Sequence, residues 1–221
     1  MAATAEAAVA RRGHENQILG TGGKPLLVIV EGENIDAMLD AGLKAIGGLG
    51  RVIGTHRQVV LKPNTNQRDP FPSITAPDTL RAVARHCHAA GAERVVVHED
   101  HKRELDLYYD PADLPGMEIQ LSQGPVSGDY VLVEHPAWHG DLDPDVEFQG
   151  MERPSILERL QRLGAIGTEG PRLRVSRHLQ EAPVIINMPV LKRHITGQIT
   201  SALKNHFGSV YSPQRWLAHA A

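Results

Sequence analysis

Three observations in this 221-residue chain predict an α/β fold, a mainly parallel sheet with helices on both faces and Rossmann-like layering. Short continuous apolar runs recur, "LLVIVEG" from Leu26, "VVL" from Val59, "RVVV" from Arg94 and "PVIIN" from Pro183. Such runs mark strands buried on both faces, as in parallel sheets. Helical stripes separate the first three of them. Finally, the runs spill into polar residues, and in open α/β sheets ligands sit at the carboxyl ends of the strands.

Lys24-Pro25 opens the first expected strand, and residues 1–23 before it read as a flexible Ala-rich tail, leaving 24–221 as one α/β domain. Arg11-Arg12 lacks a following apolar stretch, so the tail does not read as an intact export signal. "GTGGK" precedes a strand rather than following one, which is the wrong context for phosphate binding. Asn34 then caps a helix whose stripe is Ile35, Met38, Leu39, Leu43 and Ile46, stopped by Gly47-Gly48. After Val59–Leu61 a long polar loop runs from Lys62 to Ile74. Thr75 is expected to cap the next helix, with Pro77 in its first turn. Leu80, Val83, Ala84 and Cys87 share its buried face by i, i+3, i+4, i+7 spacing. Arg94–Val97 is the third strand, giving β-α-β-α-β and right-handed crossovers.

The middle is an irregular insertion. "MEIQL" and "YVLVE" read as short strands, His135 to Glu152 as a loop, and Pro154 starts a helix that Gly164 ends. "RLRVSR" reads as an edge strand and "PVIIN" as the last central one. A polar Pro-Lys-His loop and a short helix with Lys204 and Asn205 follow; Thr200, Lys204 and Gly208 share one face, and Leu203 and Phe207 a buried one.

Composition narrows the function. A formal charge of −3 and 4% aromatic residues argue against a nucleic-acid binder. The single cysteine, Cys87, excludes internal disulfides, a CxxC pair and a chain-encoded Cys₄ cluster. No stretch approaches the roughly 20 apolar residues of a membrane span. The cytoplasm is the favoured compartment, with a mature exported form as the alternative.

Three constellations carry chemistry. Lys62 and Asn64 end one strand: an ammonium supplies three donors, and an amide both donor and acceptor. Against this stands an ordinary turn. His98-Glu99-Asp100-His101 ends another, and His98 with His101 could ligate a divalent metal, although the spacing matches no strict metal motif. Asn187, Lys192 and His194 leave the last strand, with Lys204 and Asn205 beyond and Arg215 and His219 on one face of a final helix. His194 is the first candidate for proton transfer and His101 the second, with Lys192 beside them; Lys62, Lys204 and Arg215 would hold an anion. Asn64, Asn187 and Asn205 would orient it, and Thr75 marks a helix N-terminus at the same end of the sheet.

Taken together, "VVLKPN" (Val59 to Asn64), Thr75-Ala76-Pro77, "AGAERVVVHED" (Ala90 to Asp100), "APVIINMPVLKRH" (Ala182 to His194) and "TGQITSALKNHFG" (Thr196 to Gly208) resemble the domain-of-unknown-function family 362. The resemblance runs from Gln58 to His219, loosely so from Pro111 to Gly170. It implies the fold and a site more than a reaction. Some members continue further and carry ferredoxin-like iron–sulfur modules; this chain has neither the length nor the cysteines. A chain shortened at its C-terminus, or a partner supplying electrons, is therefore expected. A weaker similarity, in outline at Lys62, Thr75, His101, Lys192 and His194, is to the N-terminal domain of lactate racemase-type enzymes; nickel-pincer chemistry is not carried over.

The expected function is an enzyme acting on a small anionic metabolite, with an oxidoreductase fed by an external, ferredoxin-like donor as the leading class. The expected cofactor is a flavin or nucleotide, a divalent metal, or an iron–sulfur cluster on the partner. The alternatives are a metal-assisted isomerase, racemase or hydrolase, and a non-catalytic ligand-binding or electron-partner module. A homodimer is the expected assembly.

Overall fold

The computed structural model describes residues 18–65, 71–99, 116–121, 129–134, 166–167, 170–194 and 198–211. Its centre is a parallel sheet of β1 (Gln58–Pro63), β2 (Arg94–Glu99), β3 (Met117–Leu121) and, in chain order the seventh strand, β7 (Ile185–Met188), arranged β3-β2-β1-β7. The fold is α/β, as the sequence predicts. Alternation along β1 and β2 sorts the core. Val59, Leu61, Val95 and Val97 pack with Leu80, Val83, Ala84 and Cys87 of α3 (Pro77–Ala89), where α1 (Ile35–Ala45) lies outside α3 and α2 (Gly50–Ile53) adds Ile53. Val60 and Val96 face the other way, onto Leu179 of the short α4 (Arg177–Gln180). Helices thus sit on both faces, the second helix being a single turn.

The middle of the chain adds a second sheet. β4 (Tyr130–Glu134) and β5 (Ile166–Gly167) both pair antiparallel with β6 (Gly170–Ser176). A hairpin follows β7, with β8 (Lys192–His194) antiparallel to β9 (Gln198–Thr200), then α5 (Ala202–His206) and a 3₁₀ turn, Phe207–Ser209. Val210 bridges back to Val175, and the Tyr211 amide donates to Arg174 O at 2.8 Å.

The α3 stripe and its end hold: the four predicted residues are buried, and Gly91 takes φ +102°, which a side chain would resist. Asn34 caps α1 through its side chain, 2.9 Å from the Ala37 amide; the α1 stripe is half-buried rather than buried.

Five expectations are corrected. "LLVIVEG" is not a buried parallel strand; Leu27 is 79% and Ile29 85% exposed. The run pairs with neither outer strand of the sheet, β3 or β7, among the described residues, and the chain makes only an isolated Leu19–Pro25 bridge there. Thr75 does not cap α3: Ala76 is the N-cap residue, and the Thr75 hydroxyl is committed to the neighbouring strand ends. "RLRVSR" lies in the middle of its sheet, because β4 and β5 flank it, and β7 is an edge of the parallel sheet among the described residues. Leu203 is 92% exposed, not buried, because α5 is only five residues long and turns its Asn205 face inward. The polar loop after the last parallel strand is instead the β8–β9 hairpin. The tail to residue 17, the loop 135–152, the helix expected from Pro154, His101, Arg215 and His219 lie outside the described residues.

Candidate functional site

The carboxyl ends of β1 and β7 meet under α5, and polar side chains lock them together. Lys62 is 1% exposed; its Nζ donates to Glu99 Oε2 at 2.8 Å and to Pro63 O at 3.0 Å. Thr65 Oγ1 donates to the same Glu99 oxygen at 2.8 Å. An ammonium so enclosed needs a nearby carboxylate, because burial of an unpaired charge costs several kcal/mol. Gly208 closes this pocket: a Cβ there would lie 3.1 Å from Lys62 Nζ and 3.6 Å from Glu99 Oε1.

Around the ion pair runs a neutral network. Asn205 Nδ2 donates to Lys62 O at 3.1 Å and to Asn187 Oδ1 at 2.7 Å, and Asn187 Nδ2 donates to Ala202 O at 2.8 Å. Buried amides are stable only when such partners are present, so Asn187 and Asn205 fasten α5 onto the strand ends. Thr75 Oγ1 accepts from the Asn64 amide at 2.9 Å and donates to Met188 O at 2.7 Å, tying the start of α3 to both strands.

Outside this network lies a cationic layer. Lys192 on β8 donates to Ser73 O. Lys204 on α5 stands 5.7 Å from the Phe207 ring centroid, within cation–π range; partial burial lowers its pKa. His194 titrates below the usual histidine range, through desolvation first, then the positive charges of Lys204 and Lys192. His206 is lowered by burial and then by Lys62.

A third group lies deeper. His98 is fully buried, shares a hydrogen bond with Ser176 Oγ at 2.8 Å from Nε2, and packs 5.2 Å from the His178 ring. Burial pushes its pKa down to about 4, so the imidazole is neutral near pH 7. Its Nδ1 makes no hydrogen bond of normal geometry among the described residues, although a backbone contact from Gln120 offsets part of the effect of burial. His178 in turn meets Asp129, 3.3 Å away.

The structure therefore brings together Lys62, Asn64, Thr75, Asn187, Lys192, His194, Lys204 and Asn205. It separates them into an inner lock and an outer cationic layer that spacing does not distinguish. His98 points into the core toward β6, and its expected metal partner His101 is outside the described residues. Among the described residues no group of three His, Cys, Asp or Glu could hold a metal ion. Thr65 and Gly208 were not among the expected site residues, and Glu99 was expected only as a carboxylate near a metal. The available signal for Glu99 was a Lys and a Glu ending two strands that pair in register.

This geometry defines an α/β protein with a polar, cation-rich site at the carboxyl ends of its parallel strands. Residues 146–221 match the family model described as "Domain of unknown function (DUF362)", which supports over that segment the resemblance its motifs suggested. A curated thylakoid-associated protein of Synechocystis sp. is 28% identical over 186 residues, covering 81% of this chain and 47% of the relative. The chain thus spans about half the length of that relative. No solved structure matches. Among the described residues no helix is long and apolar enough to cross a membrane.

Proposed function

We propose that this protein is an enzyme acting on a small anionic metabolite bound at the carboxyl ends of β1 and β7, with oxidoreduction fed by an external electron source as the reaction class. One arrangement carries the anion-binding part: Lys192 and His194 share a face of β8 and Lys204 stands on the adjoining α5, where desolvation first and then both lysine charges hold the histidine pKa down. Like charges held together are relieved by a bound anion. Lys192 and Lys204 would hold a carboxylate or phosphate. His194, neutral before binding and more basic beside an anion, would transfer the proton. Asn187 and Asn205 position α5, and Lys62, paired to Glu99 behind them, holds the strand ends together from beneath. The redox class and the ferredoxin-like donor rest on the family resemblance alone.

The test has two parts. His194 is followed by NMR while phosphate or a dicarboxylate is added: its pKa should rise on binding, and Lys192→Ala with Lys204→Ala should abolish the rise. An unchanged His194 titration would remove the anion site. Native mass spectrometry of anaerobically purified protein addresses the class, since a bound flavin or nucleotide would support oxidoreduction.

A metal-assisted isomerase, racemase or hydrolase is the second reading, favoured by one feature: the buried, neutral His98 makes no Nδ1 hydrogen bond of normal geometry among the described residues. An imidazole in that state is a competent ligand. Metal content before and after chelation, compared with His98→Gln, decides it.

A further inference from the structure

The β8–β9 hairpin has two faces. In antiparallel register Arg193 lies opposite Ile199, and Lys192 opposite Thr200. Side chains directly opposite share a face, and alternate residues along a strand share one too. Lys192 and His194 therefore turn toward the strand ends with buried Thr200, whereas Leu191, Arg193 and Ile199 turn outward. Leu191 is 71% and Ile199 60% exposed, and on the adjoining α5 Leu203 is 92% exposed. Aliphatic side chains standing this far into water close together call for an occupant.

Charge narrows its identity. From Ala182 to Ala221 the sequence contains no Asp or Glu, although the whole chain has 26 acidic residues, and Arg193 stands on the outward face itself. The apolar face thus belongs to an acid-free, basic tract in an otherwise acidic protein, and its complement is anionic. Among the described residues this face falls short of a standard protein interface, which needs roughly 20–30 residues a side with matched shape. A few aliphatic side chains beside basic ones suffice at a lipid surface, where apolar insertion and headgroup attraction add without shape complementarity.

We infer that the outer face of the β8–β9 hairpin, with Leu203 of α5, is a docking surface for an anionic lipid bilayer. Leu191, Ile199 and Leu203 enter the headgroup–acyl boundary, and Arg193 meets the headgroup phosphates. Through this face the protein lies against the membrane surface. The inference goes beyond the proposed activity and does not depend on it, because Arg193 and Ile199 are on the opposite face of the hairpin from Lys192 and His194.

The test is sedimentation of the full chain with vesicles of phosphatidylcholine alone or mixed with phosphatidylglycerol. Binding is expected to the mixed vesicles only, and weaker at high salt. Arg193→Ser should weaken it about fivefold, the worth of one basic residue at an anionic surface. Leu191→Ser, Ile199→Ser and Leu203→Ser together should weaken it at least tenfold. Leu203→Ser alone, at a site too exposed to affect folding, should weaken it measurably. Phosphate binding at Lys192 and Lys204 should survive in all of these variants, which separates this surface from the anion site. No binding to the mixed vesicles overturns the inference. So does equal binding to neutral ones. Loss with Arg193→Ser but none with the serine-for-aliphatic variants also overturns it, pointing instead to an acidic protein partner.

Discussion

Glu99→Gln tests the inner lock most directly. The change keeps the shape and leaves an oxygen for the Thr65 hydroxyl, now 2.8 Å from Glu99 Oε2. It removes the negative charge 2.8 Å from Lys62 Nζ, with the two side chains 1% and 6% exposed. Water cannot compensate an ammonium so enclosed, and breaking one partner of a buried pair costs about 3–5 kcal/mol. For a domain of this size each kcal/mol lowers Tm by roughly 2–4 °C, so a fall of about 6–20 °C is expected. Lys62→Met should cost a similar amount, by stranding Glu99. The double variant Lys62→Met/Glu99→Gln removes both charges and keeps an oxygen for the Thr65 hydroxyl, leaving chiefly a buried amide group without its partner at about 1–3 kcal/mol. Urea denaturation of the four proteins gives the coupling from the midpoints, provided the m-values agree. Single variants that each cost under about 1 kcal/mol and simply add would refute the reasoning, because only a hydrated pair behaves that way.

Gly208→Ala puts a methyl group where the Lys62 ammonium end is held by Glu99 and cannot swing aside; a loss of about 1–3 kcal/mol is expected in the same urea assay, and it should shrink in the Lys62→Met background. His98 binds its proton less readily in the folded protein, at about 4, than in the unfolded chain, at 6.5. The unfolded state therefore takes up more protons between those values. The contribution is fully present above the upper value and is lost as pH falls toward 4, by about 3 kcal/mol in all. His98→Gln should flatten the stability profile in that window, and an unchanged slope would contradict the assignment. Burial raises the Cys87 thiol to about 11, so a thiol reagent at pH 8 should leave it unmodified in the native protein and react after unfolding.

Local pattern was enough for much of the frame. The α3 stripe, the Asn34 cap and the strands from Val59, Arg94, Met117 and Tyr130 are legible because each follows from periodicity, propensity or capping within a few residues. The same rules misplace Leu26–Val30. Five consecutive aliphatic residues look like a central strand, yet being a strand requires a partner in space, and among the described residues the sheet runs β3-β2-β1-β7 without this segment. Leu203 fails in the same way, since a helical stripe records which residues share a face and not whether anything covers it.

The candidate site divides along the same line. The sequence by itself determined which polar residues end the strands, so Lys62, Asn64, Asn187, Lys192, His194, Lys204 and Asn205 could be named without coordinates. Only the tertiary structure decided their depth and partners. Lys62 is sealed against Glu99, 37 residues away, and Asn205 reaches back across 143 residues to the Lys62 carbonyl. Lys192 and His194 remain in the outer layer. Pairing and desolvation depend on groups distant in sequence and adjacent in space, which residue type and spacing do not encode.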